Sequence, residues 1–196
     1  GIYMKSIRPN TNDRLTKMVK RIVNEDITSM DSTISTPIVP IPLPADIVSM
    51  INDRLSDEYT AHYLYNCAAN WCNDAGYLKA GSFFLEESKS ELEHARKLQD
   101  FLVSWNIIPE LKSVPTYHKF NDLVDVINQG YKIELDLYRK YEADSKKILV
   151  KDLPTFDFLE QFREIQRTSV AEYSDLLNAL QLIDYRDKFQ LLYFEQ

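Results

Sequence analysis

Along four long stretches of the chain, apolar residues recur at alternating steps of three and four, the period of a helix that buries one face. The pattern predicts helices over about 45–73, 76–104, 119–149 and 155–182, punctuated by Gly76, Pro109, Pro115 and Pro154. The links inside the first pair and inside the second pair are short, whereas roughly 14 residues separate the pairs. That order predicts an all-α four-helix bundle of two hairpins joined by one long crossover. The last residues, "DYRDKFQLLYFEQ", are expected to add a short fifth helix. Ahead of the bundle, Leu15, Met18, Val19, Ile22 and Val23 lie at helical spacing among Arg14, Lys17, Lys20 and Arg21, a short basic amphipathic helix within 11–27. The four prolines of "TPIVPIPLP" then favour an extended connector. The expected organisation is an N-terminal arm, 1–44, followed by a bundle with its short C-terminal helix, 45–196. The apolar face of the arm helix is expected to dock on protein.

Inward stripes that only built a core would be apolar throughout, and none of the four is. The first runs Ile51, Leu55, Glu58, His62, Tyr65, Ala69, Cys72, and the second Phe84, Ser88, Glu91, Ala95, Leu98, Leu102, with His94 three residues after Glu91. The third runs Val124, Ile127, Tyr131, Glu134, Tyr138, Tyr141, Ser145, Ile148, and the fourth Leu159, Phe162, Gln166, Ser169, Tyr173, Leu176, Leu180. Each interruption falls near mid-helix. A carboxylate in a core costs several kcal/mol or takes up a proton unless its charge is compensated. No Lys or Arg stands on the central seam positions, so the expected compensation is a cation. Carboxylates with a neutral imidazole suit divalent iron or manganese, and the pattern is read as a dinuclear carboxylate site.

The spacing of the two hairpins supports this reading. Glu58 precedes Glu91-x-x-His94 by 33 positions, and Glu134 precedes Gln166-x-x-Ser169 by 32. In a symmetric di-iron bundle each hairpin supplies a Glu and then a Glu-x-x-His, whose i, i+3 members face the same way. Here the second half is degenerate. Glu58, Glu91 and His94 are expected to form the stronger position, with Glu91 bridging to a second ion held by Glu134 and assisted by Gln166. A site with one loose position suits oxidation and release of iron, so the expected chemistry is Fe(II) oxidation with iron as substrate.

Charge and composition narrow the partners. The net charge of −7 conceals a basic arm and an acidic body, which disfavours nucleic acid and favours cations. No apolar run approaches the roughly 20 residues of a membrane helix; no membrane is expected as a partner, and the expected compartment is cytoplasmic. Cys67 and Cys72, five apart, match neither a redox pair nor a zinc knuckle and are read as packing residues. Glu86, Glu87 and Glu93 are read as exposed helix charges, His118 as a surface residue, and His62 as a surface residue or one supporting a ligand.

"INDRLSDEYTAHYLY", "EESKSELEHARKL" and "PTFDFLEQFREIQ" resemble the first, second and fourth helix motifs of the ferritin family, over roughly 45–182. The resemblance implies Glu58, Glu91 and His94 at the first ferroxidase iron, Glu91 and Glu134 at the second, and Gln166 beside it. Tyr65 matches the ferroxidase-centre tyrosine, open equally to a role as core packing. Leu92, in place of a haem-ligating methionine, implies no haem. Ser169 makes the centre similar to the H-type animal one, while Ser90 and Arg96 replace carboxylates that many ferritins place on the inner surface, which implies weak mineral nucleation there.

The expected function is thus that of a non-haem ferritin: a ferroxidase using oxygen or peroxide, assembled as a homo-oligomeric cage of twenty-four subunits, or twelve, that stores ferric mineral. The alternative is a di-iron or di-manganese bundle oxidase acting on an organic substrate or peroxide. A third possibility is a non-enzymatic assembly protein, which leaves the seam carboxylates unexplained.

Overall fold

The structure, a computed structural model, describes residues 14–22, 42–183 and 195. The chain divides into two units, Gly1–Pro40 and Ile41–Gln196. In the first unit, helix α1 spans 14–22 and exposes Leu15, Met18, Val19 and Ile22. The rest of the expected arm helix, the connector up to residue 41, and the expected fifth helix apart from Glu195 lie outside the described residues. The second unit contains α2 (Ala45–Ala75), α3 (Leu78–Ser104), α4 (Leu123–Ile148) and α5 (Leu153–Gln181), with no strand among the described residues.

The helix ends follow from local chemistry. Gly76 adopts φ 91°, and the N–H groups of Gly76 and Tyr77 bond to the carbonyls of Asn73 and Cys72. This is a Schellman turn, whose left-handed residue is tolerated best by glycine. Asn106 (φ 59°) closes α3 by the same pattern, with Ile107 N–H on the Leu102 carbonyl at 3.0 Å. At the start of α4 the Asp122 side chain accepts from Asp125 N–H at 2.7 Å, so this helix begins at 123 rather than at the expected 119. Asp152 caps α5 in the same way, accepting from Thr155 N–H at 3.0 Å, with Pro154 in the first turn. Helix α3 lacks a cap from its own N-terminal neighbour; the carboxylate of Glu195 substitutes, accepting from the N–H groups of Lys79 and Ala80.

Helix α2 packs on α3, α4 on α5, and α2 also on α4. The crossover, 105–122, lies along α2: Asn52 accepts from Glu110 N–H at 2.9 Å, and Cys67 donates to the Thr116 carbonyl at 3.4 Å. It thereby carries the chain from the start of α2 towards its end, which sets α4 antiparallel to α2. The core has an apolar layer at each end, with Ile47, Ile51, Leu98, Leu102, Ile148 and Leu159 at one and Phe84, Leu123, Val126 and Leu180 at the other. Cys72 is buried, and burial, aided by the charge of Glu195, pushes its thiol up to about 12.

One seam differs from expectation. On α4 the buried stripe passes through Gly130 and Leu137, while Tyr131 and Tyr138 stand at its margin, only partly buried. The reason is Tyr173 of α5: a Cβ on Gly130 would lie 2.6 Å from its ring, so only glycine lets the ring seat there. Gly130→Ala is expected to destabilise the protein by about 1–3 kcal/mol through overpacking, more than Gly76→Ala at roughly 1 kcal/mol from its positive φ. Thermal midpoints of the two variants test the order, and equal shifts would refute the packing argument.

Candidate metal centre

Between the two apolar layers the four helices bring Glu58, Glu91, His94, Glu134 and Gln166 together, each at most 8% exposed. Glu58 comes from α2, Glu91 and His94 from one face of α3, Glu134 from α4 and Gln166 from α5. One ligand atom from each of Glu58, Glu91 and His94 lies within 4.8 Å of the others, and Glu87, Glu91 and Glu134 form a second such group. The two groups share Glu91. His94 Nδ1 is 3.2 Å from Glu91 Oε2 and 3.5 Å from Glu58 Oε2.

Hydrogen bonds aim the outer carboxylates. Tyr65 donates to Glu134 Oε1 at 2.5 Å, and Gln166 Nε2 donates to Glu134 Oε2 at 2.5 Å and to the Glu134 carbonyl at 3.2 Å. Tyr141 donates to Glu58 Oε1 at 2.6 Å. Glu58 Oε2, fully buried, faces His94 Nδ1 at 3.5 Å and has no close hydrogen-bond partner among the described residues. Nearby cations are engaged elsewhere: Arg54 lies 3.4 Å from both Asp57 and Asp144, and Lys140 pairs with Asp57 and Asp136. Among the described residues no Lys or Arg pairs with the three buried carboxylates, and the one His94 imidazole cannot balance all three, which is the donor chemistry of a divalent metal site.

Protonation equilibria record the same stress. Burial and the charge of Glu58 drive the Glu91 carboxyl well above its usual range. Burial also raises Glu134, against the hydrogen bonds from Tyr65 and Gln166. Burial opposes charge on Glu58 as well, but interactions with Glu91, His94 and Tyr141 outweigh it and hold this carboxyl low. His94 is raised: burial disfavours its cation, and Glu58 more than restores it. Glu87 rises to about 7 through burial and the charges of Glu134 and Glu172.

Glu87 corrects the sequence reading. It is half-buried at the edge of the cluster, not an exposed helix charge like Glu86 and Glu93. Its position one turn before Glu91 was the available signal, since residues four apart share a helix face. Tyr141 was visible only as a seam residue, although it stands seven after Glu134 as Tyr65 stands seven after Glu58. His62 contributes no ligand atom to either group; its Nδ1 lies 2.9 Å from Ser88 Oγ, and Asn66 lies 3.2 Å from Nε2. Ser169 is partly buried, and Leu92 is 42% exposed.

An antiparallel four-helix bundle with one long crossover and a carboxylate–histidine cluster at mid-height defines a ferritin-like protein. The family model described as a ferritin-like domain matches residues 48–183, and the chain belongs to the ferritin family. The bacterial non-heme ferritin of Staphylococcus haemolyticus is 28% identical over 143 residues, covering 70% of this chain and 86% of that protein. That of Campylobacter jejuni is 27% identical over 143 residues, covering 72% and 86%. In fold, the chain is similar to the open pore ferritin of the hyperthermophilic archaeon Archaeoglobus fulgidus, with a TM-score of 0.74 over 78% of this chain and 94% of that one at 22% identity. Iron is the metal that this membership implies. No helix among the described residues is long and apolar enough to cross a membrane.

The raised carboxyls have a consequence for stability. A carboxyl that holds its proton more tightly when folded stabilises the folded chain least once that proton is lost, so stability falls as pH rises from its ordinary value through its folded one. Glu87 moves from 4.5 to about 7, and Glu91, Glu134 and His94 shift in the same direction, while Glu58 alone opposes them. Metal-free protein is therefore expected to show a thermal midpoint that falls between roughly pH 5 and pH 8. Added divalent metal should raise it most at the upper end, and Glu87→Gln should flatten the metal-free slope. A midpoint that rises steadily across this range would contradict the argument.

Proposed function

We propose that the protein is a ferroxidase of the ferritin type that oxidises Fe(II) at the mid-bundle cluster and stores the ferric product in a homo-oligomeric cage. The single observation that carries this is the shared carboxylate: Glu91 belongs to two adjoining groups, one buried and completed by Glu58 and His94, the other completed by buried Glu134 and half-buried Glu87. Glu58, Glu91 and His94 hold the first Fe(II). Glu91 reaches across to the second, which Glu134 binds with help from Gln166. Iron is substrate, so the site must also let it leave.

The protein's own groups account for most of the chemistry. The carboxylates give up the protons they hold when metal-free, which makes uptake of iron favourable as pH rises. Two Fe(II) together supply the two electrons that reduce oxygen to peroxide, which takes two protons and leaves as hydrogen peroxide, while hydrolysis of the Fe(III) products by water releases a net four protons per pair of irons. Tyr65 keeps Glu134 aimed inward. Glu87, half-buried at the rim, offers a carboxylate through which ferric product can pass outward. With Ser90 and Arg96 in place of acids, and Arg96 turned to Asp100 at 3.3 Å, mineral growth begins elsewhere on the inner surface.

Assembly is part of the proposal. The related proteins are named ferritins, and the cage is inferred from that kinship, with twenty-four subunits favoured over twelve. The compartment proposed is the cytoplasm. The organic-substrate alternative needs an apolar pocket opening on the metals. An apolar groove of about 300 Å³ walled by Phe83, Phe84, Leu123, Ile127 and Leu176 is lined by none of the cluster's carboxylates.

Aerobic addition of Fe(II) to the full chain, followed by ferric absorbance, tests the chemistry. Glu91→Ala is expected to slow oxidation on the order of 100-fold or more, since removal of groups that merely support a ligand already costs about 10–100-fold in metal affinity or activity. Glu87→Gln should leave the first turnovers near the native rate and slow later ones. Native-like rates in Glu91→Ala would overturn the assignment. Light scattering before and after iron loading tests assembly, and a monomer that does not retain iron would refute storage.

A further inference from the structure

The hydrogen bonds to the two outer carboxylates are crossed. Tyr65 stands seven residues after Glu58 on α2 but donates to Glu134 on α4; Tyr141 stands seven after Glu134 on α4 but donates to Glu58 on α2. The two bonds, 2.5 and 2.6 Å, are equivalent under a pseudo-twofold exchange of the two helices. Both tyrosines are 0% exposed, and both are seated by aromatic stacking, Tyr65 on Phe84 and Tyr173, Tyr141 on Phe162.

The symmetry stops at the carboxylates. Glu134 has a second lock, because Gln166 donates to its other oxygen. Among the described residues Tyr141 is the one hydroxyl or amide that donates to Glu58, whose Oε2 faces His94 Nδ1 at 3.5 Å. A hydrogen bond to one carboxylate oxygen takes up one of its lone pairs and turns the group so that its unbonded oxygen is the better donor, so the hydroxyl of Tyr141 biases Glu58 towards presenting Oε2, whereas Glu134, bonded at both oxygens, is fixed in direction and keeps a lone pair on each.

We propose that Tyr141 is a positioning residue for Glu58, holding it to single-oxygen coordination, and that the crossed tyrosines each govern a different metal position: Tyr141 the one made with His94, Tyr65 the one made with Glu134. This rests on the metal-centre reading above and adds to it a division of labour between two hydroxyls. Neither tyrosine is a ligand. Each acts through the carboxylate it holds, as groups that orient metal ligands generally do. Because Glu134 keeps Gln166 when Tyr65 is altered, the loss of Tyr141 has the larger effect.

Cobalt(II) titration of the full-length assembled protein separates the two positions, since Co(II) is not oxidised by air and its visible bands report coordination number. Tyr141→Phe preserves the ring and its stack on Phe162. It is expected to weaken the tighter Co(II) step about ten-fold, within the range for groups that orient a ligand, and to lower the intensity of its visible bands as Glu58 turns to bind through both oxygens. The weaker step should stay within about two-fold, the scatter expected of an uncoupled position. Tyr65→Phe should reverse the selectivity with a smaller change, and Tyr138→Phe, at the bundle margin, should alter neither step. Equal weakening of both steps by Tyr141→Phe, or unchanged binding and bands, overturns the proposal while native two-step uptake leaves the metal centre standing. Absence of Co(II) uptake by the native protein overturns both.

Discussion

Three carboxylates cannot share a dry interior unless their charge is met. Glu58, Glu91 and Glu134 approach one another at the middle of the bundle with only His94 among them able to carry positive charge. In the metal-free chain the answer is protonation: Glu91 holds a proton far above its usual range so that Glu58 can remain ionised. Such a compromise is unstable towards any divalent cation, which can displace the proton and satisfy all the oxygens at once. The cluster weakens the fold at neutral pH in order to bind, and the apolar layers above and below it supply the compensating stability.

That constraint explains features with no other purpose in a helical bundle. Gly130 is needed because Tyr173 must enter beside Tyr65, and Tyr65 must be seated firmly to hold Glu134. Arg54 would be an obvious neutralising partner for Glu58, one turn away on the same helix, yet it pairs with Asp57 and Asp144 instead. Removing a competing cation from the cluster keeps the carboxylates available. The crossover, pinned at Asn52 and Cys67, fixes the antiparallel relation of α2 and α4 on which the crossed tyrosines depend.

Much of this could be read from residues alone, because helical periodicity turns spacing into direction. Glu58, Glu91, Glu134 and Gln166 lay on the inward stripes by counting, and the hairpins followed from the link lengths. Glu87 differs from the expected exposed charge because its surroundings come from other helices: Glu134 and Glu172 lie near enough for their charges to raise its carboxyl, which spacing along α3 does not show. The α4 stripe was displaced for a similar reason: Tyr131 and Tyr138 fit the period, but a neighbouring ring, not the period, selected Gly130 for the interior. Tyr141 was on the stripe, yet its partner on α2 is set by tertiary geometry that no single helix contains.

On the proposed chemistry, the degenerate second hairpin completes the argument about turnover. Gln166 stands where a further acid would and spends its amide on Glu134, so the second position draws its charge from the shared Glu91, from Glu134 and from the half-buried Glu87 at the rim. Two ferrous ions bring four positive charges to three core carboxylates, a near balance in a low-dielectric interior. Oxidation moves two electrons onto oxygen, and once the resulting peroxide has left as hydrogen peroxide, taking two protons from hydrolysing water, the ferric pair carries two more positive charges with no new protein ligand. The excess favours hydrolysis and departure towards Glu87, the one acid of the cluster with access to solvent. A carboxylate at position 166 would hold the oxidised pair more tightly, and on the proposed chemistry the amide there favours passing iron on over retaining it.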